Sequence, residues 1–190
     1  ILMLGVGGGA SLNQLRFLLP NVELTGVNID AMHLGLAKDY FGVDHPRTRL
    51  VCQDALAFVD QNQAKFDVVI DDLYSDAPGD PVHPAIDESG WTARTLSLLL
   101  TDGLLIKNHL DASSARRWLN IHRPLIKRTF TNGLNFSASG YSNIVTALIS
   151  NHSSKRNASL SLIKTALDHY GLSSTGRRSL SRIQVKRVSL

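Results

Sequence analysis

The sequence has 190 residues, a formal net charge of +4 at pH 7 and 43% hydrophobic residues. That length and composition exclude disordered and fibrous proteins and suffice for one domain with a buried core. The single cysteine, Cys52, excludes a disulfide framework and a cysteine-rich zinc site. No apolar run approaches the roughly 20 residues of a membrane span, and no secretory signal is visible, so we expect a cytoplasmic domain without membrane contact. Because the chain opens directly in the apolar run 1–4, we also expect residues upstream.

Apolar strands and amphipathic helices alternate along the chain. The pattern predicts strands at 1–4, 22–27, 49–52, 66–70 and 103–107, and helices at 11–19, 31–41, 55–60, 91–100 and 112–122. Ser11 and Gln14 are spaced as a capping box for the first helix. A hairpin at 129–136 and 143–150 and a last helix at 158–170 complete the prediction.

Five strand–helix steps followed by a hairpin are typical of a doubly wound α/β sheet. Right-handed crossovers place the loops that follow parallel strands at one edge of such a sheet, where ligands bind. We assign residues 1–150 to this domain, and residues 151–190 to a C-terminal helix and basic tail that pack on it.

The C-terminal segment is strongly basic. Residues 151–190 contain eight Lys or Arg and one acid, Asp168. A basic tail can mark nucleic-acid binding, but no aromatic residue is interleaved with the basic residues between 177 and 187. The sequence therefore favours a solvated surface extension over a nucleic-acid interface.

The first loop is a glycine-rich segment between a strand and a helix, Gly5-Val6-Gly7-Gly8-Gly9-Ala10. Glycine lets the backbone turn tightly and approach a ligand closely, and the free N–H groups of the following helix favour an anion. This context indicates nucleotide-type binding, with a merely tight turn as the alternative. Because Gly5, Gly7 and Ala10 also satisfy G-x-G-x-x-[GA], a nicotinamide-dependent dehydrogenase is another alternative.

Polar residues end the next three strands. Asn28, followed by Ile29 and Asp30, lies where a ribose-binding acid is found in such folds. Asp54, followed by Ala55, could accept from an exocyclic adenine amine. Asp30 and Asp54 could equally be helix caps alone.

The pair Asp71-Asp72 follows the fourth strand, which places one carboxylate at the centre of the crevice as a general base or a holder of a cationic substrate. A solvated acidic loop is the alternative. No compelling metal-ligand spacing is present, so we predict no metal site.

In order and spacing, these motifs resemble the class I S-adenosylmethionine-dependent methyltransferase fold, and within it the spermidine synthase (polyamine aminopropyltransferase) superfamily. The resemblance runs from residue 1 to about residue 150. Its further marks are Phe66-Asp67-Val68-Val69-Ile70-Asp71-Asp72 and Asp102-Gly103-Leu104-Leu105-Ile106-Lys107-Asn108.

The resemblance implies a seven-stranded, mostly parallel sheet with an antiparallel last strand. It also implies S-adenosylmethionine or decarboxylated S-adenosylmethionine as co-substrate. A homodimer is a further expectation. The cofactor-binding residues it implies are Gly5, Gly7, Gly8, Gly9, Asn28, Ile29, Asp30, Asp54 and Ala55. Asp72 corresponds to the acid that holds and deprotonates the amine substrate, with Tyr74 and Asp76 also at the substrate.

Three departures from the superfamily pattern leave both methyl transfer and aminopropyl transfer as alternatives. Gly8 stands where spermidine synthases carry an Asp that meets the aminopropyl amine, and Asn28 replaces a Glu. The usual Asp-Ser-Ser-Asp-Pro is Asp72-Leu73-Tyr74-Ser75-Asp76 here. We therefore expect a transferase that delivers a methyl or aminopropyl group to a small amine. The alternative is a non-catalytic nucleoside-binding relative that kept the fold.

Overall fold

The computed structural model describes residues 1–75, 83, 90–150 and 181–190. Within it the chain divides into two compact units, Ile1–Asn108 and His109–Leu190. The predicted helix at 158–170 and the predicted substrate residue Asp76 lie outside the described residues.

The first unit is built from alternating strands and helices. Its elements are β1 (Leu2–Leu4), α1 (Ala10–Leu18), β2 (Leu24–Asn28), α2 (Ala31–Phe41), β3 (Thr48–Cys52), α3 (Ala55–Gln61), β4 (Phe66–Asp71), α4 (Trp91–Ser97) and β5 (Leu99–His109). The strands lie in the order β3-β2-β1-β4-β5, and all of their pairings are parallel. The order reverses beside β1, as it does in doubly wound sheets.

β1 is the centre of this sheet, and its three residues are all buried. One core cluster joins β1 and β2 to α1 and α2; it consists of Met3, Val6, Leu12, Leu24, Leu34, Ala37 and Val43. A strand buried on both faces reads as a continuous apolar run, which explains how the run at 1–4 identified β1.

The second unit contains α5 (Ala112–Thr129) and three strands, β6 (Phe130–Ala138), β7 (Ile144–Ser150) and β8 (Ile183–Arg187). β6 pairs antiparallel with both β7 and β8. The protein is thus an α/β fold with mostly parallel strands and an antiparallel group near its C-terminus, as predicted. The described residues contain eight strands rather than the seven that we expected.

The additional strand comes from the basic tail, where we predicted a solvated extension. Ile183 and Val185 alternate with polar residues, and β8 uses this extended segment to pair with the edge of β6. The backbone N–H of Val188 also donates to the carbonyl of Gly133 at 2.8 Å. Composition alone concealed this strand because most of its side chains remain exposed.

Several predicted boundaries are wrong. The capping box at Ser11 does not form, because α1 begins one residue earlier behind Gly9, which adopts φ 82° and gives no side-chain cap. α4 ends at Ser97, and the residues predicted as its last turn begin β5. α5 continues through Pro124 to Thr129, which buries Ile126. No helix in the described ranges is both long enough and apolar enough to cross a membrane.

Candidate functional site

A cavity of about 530 Å³ opens at the carboxyl ends of four parallel strands in the first unit. The segments that follow β1, β2, β3 and β4 line it together, as the topology predicts. Nine of the predicted site residues are in its lining: Gly5, Gly7, Asn28, Ile29, Asp30, Asp54, Ala55, Asp72 and Tyr74.

Two glycines of the first loop differ in how closely other residues approach them. Gly5 has φ +87°, and a Cβ there would lie 2.2 Å from the carbonyl oxygen of Asp72, so a side chain is excluded. Gly7 has φ +52°, but a Cβ there would meet no atom of the described residues within 4 Å. Gly5 therefore lets the first loop pack against the fourth, whereas Gly7 leaves room for a ligand.

Gly8 and Gly9 do not line the cavity, although we predicted both as cofactor contacts. Gly9 is the N-cap of α1, and a Cβ on it would lie 2.4 Å from Cγ2 of Val43. A Cβ on Gly8 would meet the ring of Phe41 at 3.6 Å. Gly9 therefore serves the packing of the loop, whereas the contact at Gly8 is an ordinary van der Waals distance and does not require a glycine.

Asn28 braces the loops on either side of it. Its Oδ1 accepts a hydrogen bond from the backbone N–H of Val6 at 3.3 Å, and its Nδ2 donates to the carbonyl of Asp30 at 3.2 Å. The side chain at the end of β2 thus ties the glycine loop to the start of α2. This local role requires an amide, because a carboxylate could not donate to a carbonyl.

Asp30 and Asp54 are both helix caps and cavity residues. Asp30 accepts from the backbone N–H groups of Met32 and His33, and Asp54 accepts from that of Leu56 at 2.7 Å. Both residues therefore cap a helix and also line the cavity.

The two acids after β4 occupy different environments. Asp71, the last residue of the strand, is buried and accepts hydrogen bonds from three side chains. Its Oδ1 lies 2.8 Å from Nε2 of His83, and its Oδ2 lies 2.5 Å from Nζ of Lys107 and 2.9 Å from Nε1 of Trp91. Burial opposes ionisation, but the charge of Lys107 and the bond to His83 outweigh it and hold the pKa of Asp71 well below its usual range.

Sequence reasoning missed this buried cluster. It placed residue 91 at the start of a predicted helix and Lys107 in a strand motif, and it predicted no contact between them. The only available signal was a lysine in an otherwise apolar strand, since a buried lysine requires an anionic partner.

Asp72 faces the cavity and is half-buried. Its Oδ1 accepts a hydrogen bond of 2.8 Å from Nδ2 of Asn108. Burial raises the pKa of Asp72 above its usual value, the bond from Asn108 opposes this, and the negative charge of Asp71 adds to the rise. A carboxylate with a raised pKa is a stronger base, and this one borders a space that a ligand can enter.

Tyr74 and Ser75 continue the wall beyond Asp72. Their hydroxyl groups are buried and have no hydrogen-bond partner among the residues that the structure describes. Burial and the charges of Asp72 and Asp71 raise the pKa of Tyr74 to about 12, so its hydroxyl is neutral at physiological pH. Within the described ranges, no group of three or more His, Cys, Asp or Glu residues is arranged to hold a metal ion.

Comparison with known proteins agrees with this arrangement. Residues 1–113 match the model of the spermine/spermidine synthase domain, which is more than half of the chain. The polyamine aminopropyltransferase of Sulfurisphaera tokodaii is 34% identical over 79 residues. That match covers 38% of this chain and 26% of the relative, so the chain spans about a quarter of that protein's length.

Solved structures share the fold at low sequence identity. A probable spermidine synthase from Corynebacterium glutamicum has a TM-score of 0.70 at 20% identity, over 97% of this chain and 65% of that one. Human methyltransferase-like protein 13, solved in complex with SAH, has a TM-score of 0.68 at 22% identity, over 95% of this chain and 81% of that one. Together with the domain match, the strand order and the cavity, these findings show that the chain belongs to the spermine/spermidine synthase domain family, on a class I methyltransferase fold.

Proposed function

We propose that the cavity binds S-adenosylmethionine or decarboxylated S-adenosylmethionine, and that the protein transfers a methyl or aminopropyl group to an amine. The observation that carries the proposal is the convergence of Gly7, Asn28, Asp54 and Asp72 on one cavity. Family membership supports a sulfonium donor, and the SAH bound to a structural neighbour supports the adenosyl part of the ligand.

The reaction needs alignment and the removal of one proton. The amine nitrogen attacks the carbon next to the sulfonium, a C–N bond forms, the C–S bond breaks, and its electron pair stays on sulfur. The product is the neutral thioether. An ammonium cannot attack, so the acceptor must first lose a proton, and Asp72 is the group that we assign to take it. Asp71 cannot perform this step because three buried donors already engage its carboxylate.

The adenosyl part has partners in the first three loops. Open space above Gly7 admits the ligand, the Asn28 side chain lies where the ribose is expected, and Asp54 can accept from the adenine amine while it caps α3. Asn28 offers an amide, without the charge of an acid, so we expect ribose recognition through neutral hydrogen bonds.

Calorimetric titration tests the ligand class. The probes are S-adenosylmethionine, S-adenosylhomocysteine, decarboxylated S-adenosylmethionine and methylthioadenosine. Preference for the first two indicates methyl transfer, and preference for the last two indicates aminopropyl transfer. Failure of all four to bind the purified full chain would contradict the proposal.

Turnover tests the role of Asp72. With the preferred donor and a panel of small amines, Asp72→Asn should lower transfer by about 10²-fold or more, because the proton acceptor is lost. Asp102→Asn, at an exposed position in β5, is the matched control and should be unaffected. Equal rates for the wild type and Asp72→Asn would remove Asp72 from the mechanism. Tight donor binding without any transfer by the wild type would favour the non-catalytic alternative.

A further inference from the structure

Two adjacent residues of β4 and its following loop pair with two adjacent residues of β5. Asp71 lies beside Lys107 in the parallel register, and their side chains form the buried ion pair. One residue further on, the Asn108 side chain donates to Asp72. The charged pair is sealed inside the protein, whereas the second pair has its carboxylate at the cavity.

We propose that Asn108 is a positioning residue that fixes the carboxylate of Asp72 through Oδ1 and leaves Oδ2 to take the proton of the acceptor amine. The proposal rests on the proposed function for its chemistry.

The backbone of Asp72 is fixed independently of its side chain. Its N–H donates to the carbonyl of Leu4 in β1 at 2.9 Å, and its carbonyl packs over Gly5 so closely that no Cβ would fit there. Both contacts hold the main chain, but neither determines the rotation of the carboxylate about its side-chain bonds. The 2.8 Å bond from Asn108 supplies that restraint.

The buried cluster behind the site anchors both strand ends. Asp71 draws together Lys107 from β5, Trp91 from the start of α4, and His83. Because Lys107 is the neighbour of Asn108, the same cluster that holds Asp71 also fixes the backbone from which Asn108 reaches Asp72. A carboxylate that is held at one oxygen loses little freedom when it accepts a proton at the other.

The charged and polar groups around Asp72 give the proposal a specific signature. Asp71 on β4 raises the pKa of Asp72, whereas Lys107 and Asn108 on β5 lower it. Tyr74 on the following loop is neutral at physiological pH, and His83 forms a hydrogen bond with Oδ1 of Asp71. Removal of the Asn108 amide alone should therefore raise the pKa of Asp72, without adding or removing a charge.

The test compares Asn108→Leu, which has similar volume and no donor, with Asn108→Gln, which keeps an amide. Asn62→Leu is the control, because the exposed Asn62 amide donates to the carbonyl of Ala64 and lies outside the cavity lining. For Asn108→Leu we expect kcat to fall about tenfold or more, with the KM of the donor changed less than about twofold. The acidic limb of its rate–pH profile should move to higher pH. Asn108→Gln should recover part of both changes.

A second measurement does not need activity. Carbon-13 NMR titration of the Asp72 carboxyl in the full chain should show a higher midpoint in Asn108→Leu than in the wild type or in Asn62→Leu. An unchanged midpoint would overturn the positioning role, as would an unchanged kcat in an active protein. Absence of donor binding in the wild type would contradict the proposed function instead, and the NMR titration would still decide whether Asn108 restrains Asp72.

Discussion

Asp71 and Asp72 are neighbours in the chain with opposite properties, because one is sealed among cationic and N–H donors and the other borders a cavity. Burial penalises both carboxylates. The lysine and histidine partners of Asp71 reverse the penalty, but the hydrogen bond from the neutral Asn108 to Asp72 does not. Alternation of side chains along a strand explains why two adjacent residues enter different environments.

The ion pair of Asp71 and Lys107 should dominate the stability of this region. We expect Lys107→Met to lower the free energy of unfolding by about 3–5 kcal/mol, because it leaves a buried carboxylate without its cation. Glu23→Gln, which breaks the exposed pair with Arg47, should cost at most about 1 kcal/mol. Denaturant unfolding at neutral pH measures the loss of unfolding free energy in each variant. Equal losses would contradict the difference in burial between the two ion pairs.

The dependence of unfolding on acidic pH tests the same ion pair, because the lowered pKa of Asp71 predicts the direction of the change in stability. A carboxyl whose folded pKa is lowered stabilises the protein above its unfolded pKa, and this stabilisation is lost as the pH falls. For Asp71 the loss should begin near its ordinary value of 3.8 and continue below it. The dependence should be weaker in Lys107→Met, since the lysine charge lowers the pKa. Parallel curves for the two proteins would show that Asp71 is not the group responsible.

At the scale of elements, the loops after the strands hold the fold together and also line the cavity. The glycine loop shows both cases. A Cβ on Gly5 would meet the backbone of Asp72, whereas a Cβ on Gly7 would meet nothing within 4 Å in the part of the chain that the structure describes.

Alanine substitutions separate these roles. Gly7→Ala should cost about 1–2 kcal/mol of stability from its positive φ alone, and it should weaken adenosyl binding because the new methyl group occupies open space. Gly5→Ala should be far more destabilising, since the methyl group would overlap a backbone oxygen. Thermal unfolding and calorimetric titration distinguish the two variants. Unaltered binding by Gly7→Ala would place the ligand elsewhere.

The caps of α3 and α5 offer a matched comparison. Asp54→Ala should destabilise the fold by about 0.5–2 kcal/mol as a lost cap and also weaken adenosyl binding by about 1–3 kcal/mol. Asp111→Ala removes the cap of α5, which does not contribute to the cavity lining, so it should affect stability alone. If both variants bind equally well, Asp54 is a cap and nothing more.

At the scale of the whole molecule, the cavity and the basic C-terminal strand lie in different units. The cavity and all of its lining residues belong to the first unit, and the basic C-terminal strand belongs to the second. Besides its pairing with β6, the terminal segment accepts a hydrogen bond from Arg123 at the carbonyl of Ser189.

Deletion of residues 181–190 tests this separation. The edge of β6 would lose its antiparallel partner, so we expect a lower unfolding temperature and a greater tendency to aggregate. The dissociation constant of the adenosyl ligand should change less than about twofold, because every lining residue remains. Loss of binding at a temperature where the truncated chain is still folded would show that the tail contributes to the site.

The sequence by itself determined the alternation of strands and helices, the doubly wound class, and the loops that line the cavity. These features follow from local periodicity, helix-capping residues and the fixed handedness of crossovers, all of which can be read without knowing distant contacts. Through the family resemblance it also indicated Asp72, which the structure places in the cavity lining.

Only the tertiary structure decided which residues Asp71, Asp72 and Asn28 actually contact. The Asp71 cluster joins residues up to 36 positions apart, and the Asn108 bond to Asp72 spans the same separation. The pairing of β8 with β6 likewise depends on a free strand edge some fifty residues earlier in the chain. Such contacts depend on how distant segments pack, and local propensity does not determine that packing.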